Sequence, residues 1–186
     1  MGDLEYRKAT SAFENIAHSI IEQMLSMKAG HTIERRLREA CGGNLSPEAV
    51  ASLSTQTIRS CGVSMRKAEC LVGLAEYACA HDLEAFSMAE ENDIRASLTA
   101  LPGIGKWTCD MFLLFYLGFP DILPIEDGAL RQAFQWLYGA PITNPDVRQV
   151  VCSLWSPYSS TAVRYLYRAL NEGVVKNKSQ SEILKN

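Results

Sequence analysis

The chain has 186 residues, of which 47% are hydrophobic and 21% charged, with a formal net charge of −3. That length holds one domain, or two small lobes, with a sizeable core. The slight acidity argues against a general nucleic-acid binder, which carries a basic surplus, yet it allows a local footprint in which backbone N–H groups hold phosphate. No apolar run reaches the ~18 residues of a membrane-spanning helix, so no membrane partner is expected. The opening MGDLEYRKATSAFENIAHSI lacks a signal-peptide apolar core, and the expected compartment is cytoplasmic.

In chain order nearly every segment has helical period. Phe13, Ile16, Ala17, Ile20, Met24 and Leu25 form one apolar stripe, which predicts a helix over 10–28. Ile33, Leu37 and Ala40 form a second, stopped by Gly42-Gly43. Ser46-Pro47-Glu48 reads as a capped helix start, with proline first and an acid in the first turn. Ser54 opens a short helix ending at Gly62, and Ser64 caps a long one to about Ala80. A further helix starts near Asn92. Beyond the loop FPDILPIED, helices are predicted over about 127–138, 145–154 and 159–173. No β-branched alternation is long enough for a strand. The fold class is therefore all-α.

Cysteines stand at 41, 61, 70, 79, 109 and 152, with no zinc-finger or cluster spacing, and read as buried free thiols. His18, His31 and His81 are scattered and suggest no metal site.

One stretch stands apart: LTALPGIGKWTCDMFLLFYLG, Leu98 to Gly118. Pro102 ends one helix, Gly103 and Gly105 permit unusual φ or close approach of another backbone, and Lys106-Trp107 opens the next helix. Glycines before a helix N-terminus make an anion cradle, to which Lys106 adds charge. A tight turn in a helical bundle would read the same way.

LPGIGKWT, followed by LPIEDGALRQAF, resembles the helix–hairpin–helix DNA glycosylases, and among them the 3-methyladenine DNA glycosylase II, AlkA-like branch. FENIAHSIIEQMLSMKAG, SMRKAECLVGLA and WSPYSSTAVRYLYRAL match in the same order, so the likeness runs from about Phe13 to Leu170. The resemblance implies a compact catalytic core of two helical lobes flanking a cleft. One lobe spans 13–118, with the hairpin unit at about 91–118, and the other takes 1–12 with 119–186. It implies excision of alkylated purines, 3-methyladenine first, from double-stranded DNA by a monomer, in a nucleoid or a nucleus. The alternatives are a glycosylase for deaminated, etheno or mismatched bases, or a non-catalytic DNA-binding module.

The resemblance gives Asp127 the catalytic role of stabilising the oxocarbenium-like sugar; the position before GALRQAF also suits a helix N-cap. Glu126 is expected to face solvent. Trp107 stands where bifunctional relatives carry a Schiff-base lysine, which implies a monofunctional enzyme without strand cleavage. Trp107 and Tyr158 would line the base pocket, although either could be a core aromatic. Gly103, Ile104, Gly105, Lys106 and Thr108 would meet DNA through the hairpin. Met24 would be the intercalating wedge, unless it simply continues the apolar stripe, and Gln23 beside it would meet the orphaned base. Lys28, Arg66 and Lys67 are further phosphate candidates, whereas Arg35, Arg36 and Arg38 read as a solvated face. No cofactor is implied beyond a monovalent cation on the hairpin carbonyls; the cysteine quartet of the iron–sulfur branch is missing.

Overall fold

The computed structural model describes residues 10–177, and among them every regular element is helical. The described residues up to Leu117 form one compact unit and those from Gly118 a second.

The first unit opens with α1 (Ala12–Glu22), α2 (Met27–Ala40), α3 (Pro47–Ala51), α4 (Thr55–Ser60) and α5 (Met65–Ala80). Ser11, Ser26, Ser46, Ser54 and Ser64 precede them, and each hydroxyl accepts the N–H three residues on. Such a cap is worth about 1 kcal/mol, and it satisfies one of the donors that a helix start leaves unpaired. A 3₁₀ turn at Leu83–Met88 leads to α6 (Glu91–Thr99) and α7 (Lys106–Phe112), which continues into a π-helical turn over Leu113–Leu117.

Helix α1 is the central element and packs against α2, α5 and α7, while α3 and α4 pack on α5. Ile16, Ile20, Leu71, Leu74, Ile94, Leu98 and Phe112 are fully buried between them. Glu84 of the 3₁₀ turn ties the unit's two ends, accepting the Ala12 N–H at 2.7 Å and the Tyr116 hydroxyl at 2.6 Å. Residues 10–12, grouped with the second lobe on sequence grounds, thus cap and open α1.

The second unit contains α8 (Gly128–Tyr138), α9 (Pro145–Trp155), α10 (Ser159–Asn171) and the short α11 (Val174–Asn177). Helix α10 packs against α8, α9 and α11 around Leu130, Phe134, Val163 and Leu166. Helix α8 ends at Gly139, whose φ of +69° is the left-handed cap that glycine favours.

Three expectations need correction. The helix predicted over 10–28 is broken: α1 stops at Glu22 and α2 begins at Met27. The cysteines are all free, but Cys79 is exposed and Cys41 and Cys152 half-buried; burial pushes the Cys70 and Cys109 thiols up to about 11. Arg38 is no bystander on a solvated face, because it bridges Glu14 on α1 at 3.0 Å and Glu34 at 3.3 Å.

Candidate functional site

The hairpin between α6 and α7 is built from within. Ile104 is 4% exposed, so its side chain plugs the turn into the core. Gly103 has φ +91°, a left-handed conformation that a side chain adopts only with strain. Gly105 is the N-cap of α7 and offers no side-chain oxygen, so the first N–H groups of α7 lack a side-chain cap from it. Pro102, Gly103 and Gly105 are exposed, which leaves their backbone within reach of a partner.

Asp110, 2% exposed, braces both arms of this hairpin. Its Oδ1 accepts from Arg95 Nη1 of α6 at 2.7 Å, and its Oδ2 from Lys106 Nζ of α7 at 2.7 Å. Lys106 therefore shares its charge with an internal carboxylate, although half its side chain remains exposed. Thr108 is buried and its Oγ1 accepts from Gln23 Nε2 at 2.9 Å, so this hydroxyl faces α1's end instead of solvent. Trp107 is half-buried on α7.

The segment after α1 is a strained turn. Met24 has φ +59° and is fully exposed, at 101% of the reference area. It does not lie on the apolar stripe, because α1 has already ended. Gln23 is engaged by Thr108 and is not held out toward a partner base. Lys67 also points inward, its Nζ donating to the Ile21 carbonyl at 2.7 Å and the Gln23 carbonyl at 2.6 Å. Lys28 and Arg66 remain exposed.

In the second unit, the loop from Phe119 leads to the carboxylate at 127. Asp121 accepts from Ser156 Oγ at 2.7 Å and Ser159 N–H at 3.2 Å, and also from the Ser159 hydroxyl. Those bonds, Ser159 first, hold the Asp121 carboxyl below its usual range. Ser160 adds a second stitch, donating to the Phe119 carbonyl and accepting the Ile122 N–H at 2.9 Å. The loop then turns at Pro124, whose carbonyl accepts the Asp127 N–H at 2.9 Å. Asp127 is the N-cap of α8, and its Oδ1 accepts from Leu130 N–H at 2.7 Å. It is half-buried, while Glu126 is exposed. Tyr158, at the start of α10, is 67% exposed and so is not a core tyrosine. Among the described residues no three His, Cys, Asp or Glu side chains gather as a metal site.

Sequence reasoning missed Asp110 and Asp121. Both are ordinary acids in the sequence, and only the fold gives them their partners.

An all-α chain with a glycine hairpin and a capping aspartate before α8 fits one class of protein. It belongs to the HhH-GPD superfamily of base excision DNA repair proteins, whose sequence profile matches residues 17–158. It is 26% identical to DNA-3-methyladenine glycosylase 1 of Schizosaccharomyces pombe, over 84% of this chain and 71% of that protein. It is 32% identical to YfjP of Bacillus subtilis, over 86% of this chain and 59% of that protein. The crystal structure of DNA-3-methyladenine glycosidase from Bacillus halodurans superposes with a TM-score of 0.79 at 31% identity, covering 100% of this chain and 87% of that one.

Proposed function

We propose that this chain is a monofunctional DNA-3-methyladenine glycosylase, which removes alkylated purines from double-stranded DNA and leaves the strand intact. It would act as a monomer. The observation that carries the reading is Asp127, a half-buried carboxylate that caps the head of α8, within the segment matching the base excision repair family. The names of the related proteins supply the lesion.

The target base must leave the stack, and Met24 is the apolar wedge that fills its place. The turn at Gly103–Gly105, with the first N–H groups of α7, holds the DNA backbone, and Lys106 adds charge shared with Asp110. Thr108 and Ile104 enter only through their backbone. The backbone of the exposed Pro102, Gly103 and Gly105 would hold a monovalent cation, which would supply local positive charge for phosphate. Trp107 in the first unit and Tyr158 in the second each offer an aromatic ring, and an electron-rich ring suits a cationic purine.

The bond from base to C1′ breaks heterolytically, and its electron pair leaves with the base. Methylation at ring nitrogen already makes that base cationic, so it departs neutral without an added proton. The sugar left behind is oxocarbenium-like, and the Asp127 carboxylate stabilises its positive charge. Water adds at C1′, and its proton passes to Asp127 or to solvent. Trp107 offers no amine for a Schiff base, so no strand-cleaving step follows.

The test is base release from methylated duplex DNA with strand integrity followed in parallel. Wild type should release 3-methyladenine from intact strands, and Asp127→Asn should be slower by about 100-fold. Binding without any release would overturn the reading in favour of another lesion.

A further inference from the structure

Met24 is the one non-glycine residue with positive φ among the described residues. A left-handed methionine is strained, and such strain persists only where the surroundings over-determine it. Here an exposed apolar side chain gains no burial to offset that strain. Whatever holds the turn must lie beneath it.

Two contacts do. The last carbonyls of α1 have no donors left within the helix, and Lys67 of α5 supplies them: its Nζ spans the Ile21 and Gln23 oxygens at 2.7 and 2.6 Å. The backbone of Lys67 is itself fixed, since its N–H donates to the Ser64 cap at 3.3 Å. Gln23, which bears one of these carbonyls and directly precedes Met24, reaches Thr108 on α7 at 2.9 Å. The turn is thus gripped from α5 and from the hairpin helix. We propose that Lys67 is a positioning residue that holds Met24 in its left-handed, outward conformation, so that the wedge enters the duplex without first having to be ordered. This inference rests on the wedge reading of Met24. Burial lowers the Lys67 pKa, which agrees with an ammonium turned inward. A phosphate contact would need the opposite orientation.

The experiment uses a duplex with 2-aminopurine beside a tetrahydrofuran abasic analogue. Unstacking then brightens the probe without any chemistry. The full chain is compared with Lys67→Met, Met24→Ala and the double variant, each at saturation and over a range of salt. Met24→Ala should lose most of the fluorescence rise. Lys67→Met should lose about five-fold of it, with the slope of log Kd against log salt unchanged. The double variant should match Met24→Ala alone, since residues acting through one element are not additive. If Lys67→Met keeps the full rise while Met24→Ala loses it, the positioning role is overturned and the wedge stands. A salt slope smaller by about 0.9 in Lys67→Met would make Lys67 a phosphate contact and overturn it too. If Met24→Ala keeps the full rise, the wedge reading falls and this inference with it. Should Lys67→Met fail to fold, Lys67→Gln, which keeps a shorter donor, decides by the same readings.

Discussion

A Cβ built on Gly103 would lie 2.8 Å from Cys70 Sγ and 2.9 Å from Cys70 Cβ. The hairpin turn therefore rests directly on α5, and glycine is required there twice, by space and by φ. Gly105, two residues on, has φ −108° and nothing within 4 Å of its missing Cβ. The fold does not need glycine at 105. In the proposed reading, a DNA backbone that comes close does. Gly103→Ala is expected to destabilise the protein by about 2–3 kcal/mol in urea unfolding. Gly105→Ala should change stability by less than about 0.5 kcal/mol while weakening duplex DNA binding.

Asp110 is the buried link between the two arms of the hairpin. Asp110→Ala would leave Arg95 and Lys106 facing each other without their shared carboxylate. The expected loss is about 2–4 kcal/mol, reduced from the value for a fully buried pair because Lys106 is half exposed. Chemical denaturation of the variant, compared with Arg95→Ala and the double variant, checks it. Strong non-additivity is the expected result.

Asp127 has a capping role and, in the reading above, a catalytic one, and two substitutions separate them. Asparagine caps a helix about as well as aspartate, whereas alanine does not cap at all. Asp127→Asn should keep the unfolding midpoint and lose base release. Asp127→Ala should lose both, with a stability cost of about 1 kcal/mol.

His18 sits between two carboxylates, 3.2 Å from Glu22 and 2.7 Å from Glu34. The Glu22 bond, then the Glu34 bond, push its imidazole up to about 10, from 6.5. A raised folded-state pKa gives stability that is complete below pH 6.5 and is lost as pH rises through 10. With 34% of the side chain exposed, the contribution is about 1–2 kcal/mol. Wild type should exceed His18→Gln by that amount just below pH 6.5, where both carboxylates are still ionised, with the difference vanishing toward pH 10, in urea titrations across the range.

Helix starts were the most legible feature of the sequence. Ser46-Pro47, Ser64 and Asn144-Pro145 cap as read, because a cap is decided by residues three apart in the chain. The break between α1 and α2 was not legible. Met24 and Leu25 continue the apolar spacing of α1, and nothing local forbids a helix there. The interruption depends on Lys67 and Thr108, residues more than forty positions away that claim the carbonyls and the side chain of this turn.

The all-α class, the caps, the glycine hairpin and the likeness to base excision repair proteins are each written in short windows of the chain or in their order along it. Which candidate side chains face outward follows from the packing. Ile104 and Thr108 look available in the string and are buried, Lys67 and Gln23 turn inward, and Met24 and Tyr158 are exposed. Exposure depends on which helices pack beneath a residue, and a charged or polar side chain near a helix end will bond to the nearest unpaired carbonyl or hydroxyl. Those partners come from distant parts of the chain, so no local pattern could name them.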